Sequence, residues 1–277
     1  MTITNVSEIG DIGDPRIDAY VRLTDRQLRS VLDPNSALVI LESLNVITLA
    51  VREGVELVSV FVERRHLERL LAELPSLSER DIEVFVASRA VMSEVVGFNV
   101  VRGYLAVARR PHPREAQEVL EGASRVAVLE GLTDVSNVGA LFRSAAALGV
   151  DALLLAPTCA DPFNRRAIRT SMGTVFQLPW APAPRPWPQA TFDALRADGF
   201  TSVALALDEH AVRLDDPALT DSGRVALFFG SEGTGLSDDV LSAVDRSAII
   251  PMSRGVDSLN VAASSAVAFW ELCARRR

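Results

Sequence analysis

The stretch from Arg224 to Trp270 constrains the fold of this chain more than any other segment. Val225 to Phe229 is a short apolar run that ends at Gly230 and leads into a glycine-rich loop, which predicts a buried strand. A second predicted strand, Ala248 to Ile250, runs into an irregular loop and then into a helix that begins near Ser258. Because open parallel sheets bind ligands at the carboxyl ends of their strands, the two strand ends indicate one ligand site.

Length and composition predict a globular protein of about two domains. The chain has 277 residues, and 48% of them are apolar, which is enough for a sizeable core. No run of about 18 apolar residues predicts a transmembrane span, and the first twenty residues lack the apolar segment of a secretion signal. We therefore expect no membrane association and a cytoplasmic location. Cys159 and Cys273 have no ligand-type neighbours, so neither a disulfide framework nor a metal site is predicted.

The charge of the chain argues against nucleic-acid binding when composition is considered alone. The net charge is -8, whereas RNA is bound chiefly through contacts with its phosphates. All 28 basic residues are arginine, and a guanidinium group suits phosphates and stacked bases better than an ammonium does. Biased codon usage explains the absence of lysine equally well. Whether the chain binds RNA therefore depends on where the arginines lie and not on their number.

The pattern of apolar residues divides the chain into two α/β domains. Residues 1–110 are predicted to form a small domain, with strands at 38–41, 57–62, 82–86 and 104–108 and helices at 42–52 and 66–74. Residues 111–123 begin with prolines and charged side chains, which predicts a linker. Residues 124–277 then form the second domain.

The second domain is predicted to open with a strand at Arg125 to Leu129. After a loop, apolar residues recur at helical spacing as far as Gly149, which places Asn137 at the helix N-cap and Arg143 in the second turn. A helix cap and a solvated arginine would suffice to explain these two residues. Further strands are predicted at Ser202 to Leu207, and a proline-rich extended loop is predicted at residues 178–188.

An arginine-rich segment lies between these elements. Arg165 and Arg169 are four residues apart and share one helix face, so they form a cationic patch that could hold one or two RNA phosphates. An ordinary solvated surface is an equal alternative.

Three segments of the second domain resemble the motifs of the SpoU/TrmH-type RNA ribose methyltransferases of the SPOUT superfamily. The first is Asn-x-Gly-x-x-x-Arg, from Asn137 to Arg143, after a strand and a loop. The second is a strand that ends in glycine and is followed by a Ser-Glu pair, from Leu227 to Gly235. The third is Ile-Pro-Met at residues 250–252, then a loop and Ser-Leu-Asn-Val at residues 258–261. The order and spacing make the resemblance specific over Arg125 to Leu272.

The resemblance implies the architecture of the whole chain. It implies a parallel-sheet methyltransferase domain with a C-terminal trefoil knot, preceded by a small α/β substrate-binding domain. It also implies a homodimer, and we expect Leu259, Ala262, Ala266, Phe269 and Cys273 to form a stripe that lies partly at the dimer interface, with packing inside one subunit as the alternative. A scaffolding domain without RNA contacts is the alternative for residues 1–110.

The resemblance also implies roles for individual residues, with S-adenosylmethionine as the cofactor, RNA as the partner and no metal. The implied catalytic residues are Asn137, Arg143, Glu232, Ser258 and Asn260. The implied cofactor-binding residues are Leu207, Gly230, Ser231, Glu232, Ile250, Met252, Leu259 and Asn260. The implied RNA-binding residues are Arg143, Arg165, Arg169 and Ser171.

The chemistry of methyl transfer to a ribose assigns Arg143 an electrostatic role. The 2'-hydroxyl must be aligned with the methyl group and must lose a proton, but the three histidines lie outside the motifs. A guanidinium stays protonated in proteins, so Arg143 is expected to hold a phosphate and favour the developing alkoxide, while the proton passes to phosphate or water. A perturbed arginine that acts as the base remains the alternative.

Other functions are possible for a chain with this sequence. The loop from Gly230 to Gly235 has the spacing G-x-x-G-x-G, reversed from the dinucleotide fingerprint, which disfavours a nicotinamide enzyme. A non-catalytic RNA-binding protein on the same fold would be expected to lose Asn137, Arg143, Glu232 or Asn260, and all four are present. Ribosomal RNA is the first expected substrate, including methylation that confers antibiotic resistance, and transfer RNA is the second.

Overall fold

The computed structural model describes residues 5–21, 37–79, 82–96, 103–208, 210–220, 222–255 and 258–276. By their contacts, the residues divide into one unit at Met1–Pro111 and a second at His112–Arg277. Within the described residues, no helix has the length and apolar character needed to cross a bilayer.

The first unit is built on a mixed five-stranded sheet. Its strands are β1 (Val6–Ile9), β2 (Leu38–Glu42), β3 (Leu57–Glu63), β4 (Glu83–Ala87) and β5 (Tyr104–Arg109). Its helices are α1 (Asp18–Val21), α2 (Leu44–Arg52), α3 (Leu67–Glu73), α4 (Ser76–Glu79) and α5 (Arg89–Val96). The strand order is β1-β4-β3-β5-β2, in which β5 alone runs antiparallel to its neighbours. Phe61, Phe85 and Met92 pack in the core on one face.

The second unit carries a seven-stranded sheet between helices. Its strands are β6 (Arg125–Leu129), β7 (Ala152–Leu155), β8 (Trp180–Pro182), β9 (Thr201–Leu205), β10 (Val212–Arg213), β11 (Val225–Phe229) and β12 (Arg246–Ile249). Its helices are α6 (Ala116–Leu120), α7 (Val135–Leu148), α8 (Arg165–Thr170), α9 (Thr174–Gln177), α10 (Gln189–Ala197), α11 (Pro217–Thr220), α12 (Asp238–Leu241) and α13 (Val261–Leu272).

All strand pairs of the second sheet are parallel, in the order β10-β12-β9-β11-β6-β7-β8. Every residue of β11 is buried, as expected for a central strand of a parallel sheet that is covered on both faces. Because β12, β9 and β11 are neighbours and run in the same direction, their carboxyl ends meet at one edge of the sheet. The predicted α/β fold with a parallel sheet is therefore confirmed.

The segment predicted as a linker, residues 111–123, is mostly part of the second unit. Residues 116–120 form α6, and Val119, Leu120 and Ala123 are buried in the core of that unit. Arg224 Nε donates to the carbonyl of Ala123 (2.9 Å), and Arg224 Nη2 donates to that of Leu120 (3.0 Å). The linker prediction is wrong beyond His112 because these apolar side chains complete a helix face that packs on the sheet.

Three other predicted boundaries differ from the structure. Helix α7 begins at Val135 and is capped by Asp134, so Asn137 lies inside its first turn and Arg143 lies in its third turn. The proline-rich loop contains β8, an edge strand that pairs with β7. The strands predicted to reach Leu207 and Ile250 end at Leu205 and Ile249, so both residues lie in the loops that follow.

Helix α13 carries the stripe that was predicted to lie partly at a dimer interface. Part of this stripe packs into the core of the second unit. Phe269 is fully buried and contacts Phe229 with ring centroids 5.3 Å apart, and Cys273 is also buried. For these two residues the structure shows packing inside one subunit, which was the alternative to a place at the dimer interface. The exposed side of α13 instead carries Val267 and Trp270, whose exposed fractions are 41% and 56%.

Candidate active site

A pocket of about 720 Å³ opens at the carboxyl ends of β9, β11 and β12. Small-molecule pockets typically have volumes of about 300 to 1,000 Å³, so a nucleoside-sized ligand fits here. The structure places all eight predicted cofactor-binding residues in its lining, namely Leu207, Gly230, Ser231, Glu232, Ile250, Met252, Leu259 and Asn260. The predicted catalytic residue Ser258 lines the same pocket. Segments distant in sequence thus meet because their strands are neighbours in the sheet.

The loop after β11 is closed by its own hydrogen bonds. Ser231 N donates to the carbonyl of Gly235 (3.1 Å), and Gly235 N donates to that of Ser231 (3.0 Å). Thr234 N donates to Ser231 Oγ (3.2 Å). The loop therefore presents a fixed backbone surface to the pocket, rather than a flexible flap.

Gly230 is required by this loop itself. A Cβ atom at Gly230 would lie 2.2 Å from the carbonyl carbon of Gly235 and 2.4 Å from the nitrogen of Leu236. These are backbone atoms that cannot rotate away, so a larger residue would displace the loop. A side chain at position 230 would thus act on the loop first, and not by direct contact with a ligand.

Three polar side chains from the three motifs form one hydrogen-bonded group at the pocket edge. Asn137 Nδ2 donates to Glu232 Oε1 (3.0 Å), and Asn260 Nδ2 donates to Asn137 Oδ1 (3.2 Å) and also to Glu232 Oε1. Asn260 Oδ1 caps α13 by accepting from Ala262 N (2.9 Å). Each amide is therefore held in one orientation, and Glu232 joins the loop after β11 to two helices.

Close packing of α7 and α8 sets the position of Arg143. A Cβ atom at Gly139 would lie 2.5 Å from the carbonyl oxygen of Ala167 and 2.0 Å from Thr170 Oγ1, so only glycine permits this helix contact. Arg143 is four residues after Gly139 and lies on the same side of α7. Its side chain is exposed.

Helix α8 carries the two arginines that the sequence predicts for RNA binding. Arg169 is exposed and Arg165 is partly exposed, so both can reach a ligand from solvent. Ser171, which was predicted to contact RNA as well, is fully buried. Its Oγ donates to the carbonyl of Ile168 (2.9 Å) and accepts from Gly173 N (3.2 Å), so the prediction for Ser171 is wrong because the hydroxyl closes the turn after α8.

A buried carboxylate beside the pocket was missed by sequence reasoning. Glu130 directly follows β6 and is 8% exposed. Its oxygens accept from Trp187 Nε1 (2.9 Å), Ser237 Oγ (2.8 Å) and Ser237 N (2.8 Å). Ser237 lies between Leu236 and α12, so Glu130 fixes the end of the pocket loop. The position of Glu130 directly after a predicted strand is the sequence signal that could have identified it.

In the parts of the chain that the structure describes, no group of three or more His, Cys, Asp or Glu side chains could hold a metal ion. The pocket is lined by apolar side chains, hydroxyls, backbone, the amide of Asn260 and the carboxylate of Glu232.

Comparison with known proteins places this site in a family. The model of the SpoU rRNA methylase family matches residues 124–270, which include all three motifs and the pocket. The chain belongs to this family. A SpoU relative from Mycobacterium bovis, an uncharacterized tRNA/rRNA methyltransferase, is 40% identical over 96% of this chain and 91% of its own length. A 23S rRNA (adenosine(1067)-2'-O)-methyltransferase from Streptomyces laurentii is 30% identical over 96% of this chain and 95% of its own length.

A solved structure extends the likeness of this SpoU member to the whole fold. The AdoMet-bound rRNA methyltransferase from Sinorhizobium meliloti has a TM-score of 0.81 and covers 98% of each chain at 23% identity. At this identity the likeness shows the fold alone.

Proposed function

We propose that this chain transfers the methyl group of S-adenosylmethionine to a ribose 2'-hydroxyl of ribosomal RNA. As a SpoU member, the chain is an RNA methyltransferase, and S-adenosylmethionine is its cofactor. The ribose 2'-hydroxyl and the ribosomal RNA substrate are supported by the name of the Streptomyces laurentii relative, a 23S rRNA 2'-O-methyltransferase that matches almost the whole chain. Transfer RNA is the second candidate, because the name of the Mycobacterium bovis relative includes it.

The observation that carries the proposal is the meeting of the three motifs at one pocket. The pocket is formed by three neighbouring strand ends, and the group of Asn137, Glu232 and Asn260 closes one edge. A protein that only bound RNA would have no need to orient two amides and a carboxylate against a nucleoside-sized pocket.

The lining fits the proposed cofactor. Leu207, Ile250, Met252 and Leu259 supply apolar surface for an adenine ring, and Leu207 and Leu259 are 74% and 39% exposed. Large apolar side chains exposed at a pocket rim indicate a ligand that covers them. The closed loop after Gly230 supplies backbone groups for the polar parts of the cofactor.

The side chains around the pocket account for the reaction in ordinary chemical terms. S-adenosylmethionine supplies an electrophilic methyl group on a sulfonium. The chain must align the ribose hydroxyl at a near-attack distance of about 3 to 3.5 Å. We assign this alignment to the amides of Asn137 and Asn260, with the hydroxyl of Ser258 in the pocket lining. Arg143 holds the neighbouring phosphate and stabilises the developing alkoxide, and the proton leaves to phosphate or water.

The RNA contacts and the assembly complete the proposal. Arg143, Arg165 and Arg169 bind phosphates of the RNA, and residues 1–110 serve as the substrate-binding domain. Helix α13 packs on α7, and the proposal includes the C-terminal trefoil knot that the resemblance to the family implies. Two copies of the chain associate as a homodimer.

The substrate is tested by mapping ribose methylation. We expect one 2'-O-methylated position in 23S rRNA to be present in cells with the gene and absent in cells without it. The purified protein should restore that position on unmodified rRNA with S-adenosylmethionine. A modified position found in transfer RNA alone would replace ribosomal RNA with the second candidate, and base methylation would overturn the proposed reaction.

Arg143→Ala separates catalysis from binding. Loss of one preorganised charge contact in a transition state typically lowers the rate about 10²- to 10³-fold, so single-turnover methylation should fall by that factor. The rise in thermal midpoint caused by S-adenosylmethionine should be unchanged, because Arg143 lies outside the pocket lining. Arg143→Lys should restore little, since an ammonium cannot form the planar fork.

Arg165→Ala is the matched control on the next helix. It should weaken RNA binding and reduce its salt dependence, while the single-turnover rate at saturating RNA stays near that of the wild type. A wild-type rate in Arg143→Ala would refute the catalytic role of Arg143.

A further inference from the structure

A second group of polar side chains lies in the first unit. At the carboxyl ends of β2 and β3 and the amino end of β5, three buried side-chain atoms have no hydrogen-bond partner among the described residues: Ser43 Oγ, Glu63 Oε2 and Tyr104 Oη. Their residues are 4%, 5% and 6% exposed. Burying a polar atom without a partner costs free energy, so three such atoms at one end of a sheet require an explanation.

Backbone hydrogen bonds bring the three residues together. Ser43 N donates to the carbonyl of Tyr104 (3.1 Å), and Glu63 N donates to that of Gly103 (2.9 Å), so the ends of β2 and β3 flank the start of β5. His66 stacks on Tyr104 with ring centroids 4.9 Å apart, and its Nε2 lies 3.8 Å from Glu63 Oε2. The residues that carry the unpaired atoms are therefore neighbours at this end of the sheet, and two of them contact His66.

Ser43 is held in a strained conformation, and its side chain does not cap the helix after it. Its φ is 90°, in the left-handed region that a residue with a Cβ rarely adopts. It stands at the N-cap of α2, a helix of nine residues, yet its side chain makes no capping hydrogen bond. Strain of this kind collects at ligand-binding sites, and here the buried hydroxyl has no hydrogen-bond partner among the described residues.

Arg65 contacts this group, and Arg64 and Arg69 are close to it in sequence, in a protein that is acidic overall. Arg65 Nε lies 2.8 Å from Glu63 Oε1, and the side chains of Arg64 and Arg65 are 63% and 54% exposed. Burial raises the pKa of Tyr104, and the positive charges of Arg69 and Arg65 oppose that rise, so both guanidinium groups act on the tyrosine. A ligand at this site would meet buried hydrogen-bonding atoms and exposed positive charge.

We propose that Ser43, Glu63, His66 and Tyr104, together with Arg65 and Arg69, bind one unpaired nucleotide of the RNA substrate. The inference rests on the proposed function and specifies where the first unit reads the RNA. Glu63 Oε2 can only accept hydrogen bonds, so the ligand must offer an N–H group, as the edge of every nucleobase does.

The remaining groups match the other parts of a nucleotide. The hydroxyls of Ser43 and Tyr104 can pair with a base carbonyl or the ribose, and arginines bind the phosphate. When the nucleotide binds, Arg65 leaves its ion pair with Glu63 and contacts the phosphate. Glu63 then accepts hydrogen bonds from the base in place of its contacts with Arg65 and His66.

Tyr104→Phe and Tyr20→Phe test the proposal as a matched pair. Tyr104 has an unpaired hydroxyl, whereas the hydroxyl of Tyr20 is buried in the same unit and is hydrogen-bonded to Ser59 Oγ (2.7 Å). We expect Tyr104→Phe to leave the thermal midpoint unchanged or higher and to weaken the Kd for unmodified 23S rRNA about 3- to 10-fold, since one hydrogen bond to RNA is lost. Tyr20→Phe should lower the thermal midpoint and leave that Kd unchanged.

Glu63→Gln provides the second variant, with an expected weakening of about 10-fold. The single-turnover rate at saturating rRNA and the thermal shift with S-adenosylmethionine should match the wild type in both variants. A wild-type Kd in Tyr104→Phe and Glu63→Gln would overturn the nucleotide site while leaving the methyltransferase proposal intact. A wild-type protein that methylates no RNA would overturn the proposed function first, and this inference with it.

Discussion

Asp134 caps helix α7, and this leaves Asn137 free to join the active-site group. Asp134 Oδ1 accepts from Ser136 N (2.7 Å), which satisfies one of the first N–H groups of the helix. Asn137 lies on the first turn instead, where its amide reaches Glu232 of the next motif. An asparagine that had to cap the helix would have its oxygen committed to the backbone. Because Asp134 provides the cap, both ends of the Asn137 amide can hydrogen-bond to residues of the other two motifs.

The cap at Asp134 predicts a dependence of stability on pH. The hydrogen bond from Ser136 N, helped by the charge of Arg166, lowers the pKa of Asp134. A carboxyl whose pKa is lower in the folded state stabilises the fold above its unfolded pKa of about 3.9, and this contribution is lost as pH falls further. Asp134→Asn keeps an equally good cap without a titrating group.

We therefore expect Asp134→Asn to match the wild type in urea unfolding at pH 7. Below about pH 4 the variant should lose less stability than the wild type, because its cap does not protonate. Asp134→Ala serves as the control and should lose about 1 kcal/mol at pH 7. Parallel pH profiles for the wild type and Asp134→Asn would show that the cap does not titrate as argued.

Helix packing at Gly139 gives a prediction at the scale of elements. Gly139→Ala forces a Cβ against the backbone of Ala167, so α7 and α8 must separate. Overpacking of this kind typically costs about 1 to 3 kcal/mol, which chemical denaturation would detect. Gly223→Ala is the control, because a Cβ there meets nothing within 4 Å and its backbone is not left-handed. Equal stability of the two variants would mean that the helices adjust without cost.

The elements differ in how far the sequence could predict them. Strand β11 is a continuous apolar run that ends in glycine, and it was predicted with its exact bounds of Val225 and Phe229. Helix α6 was missed, although Ala116, Val119, Leu120 and Ala123 recur at helical spacing, because the prolines before it suggested a linker. The three-residue strand β8 carries too short a pattern, and only its position beside β7 makes it a strand.

The site was predictable where it follows from strand ends and was not predictable where packing decides. All eight predicted cofactor-binding residues come from loops after strands or from the residues just before α13, and parallel strands bring such loops together. Ser171 and Phe269 lie on helices or turns, and their burial depends on which face meets the core. The nucleotide site of the first unit depends on the pairing of β2, β3 and β5, which sequence spacing does not contain.

At the scale of the whole molecule, the charge pattern reconciles an acidic protein with an RNA substrate. The net charge of -8 repels RNA at long range, but arginines gather at α8 and at the end of β3. Local phosphate contacts must therefore outweigh the overall repulsion, so RNA affinity should depend on these two arginine groups.

The exposed face of α13 provides the last prediction, which concerns assembly. Ala263, Val267 and Trp270 recur at helical spacing and are exposed, and a tryptophan 56% exposed indicates a surface that another protein covers. We expect this face to pack on a second copy of the chain, so light scattering at micromolar concentration should give a dimer for the wild type and a monomer for Trp270→Glu. The thermal midpoint extrapolated to low protein concentration should be the same for both, because Trp270 lies outside the core of the subunit. Trp270→Phe, which keeps an apolar side chain, should remain dimeric. A monomeric wild type would assign this face to contacts other than self-association, and a dimeric Trp270→Glu would move the interface to another surface of the chain.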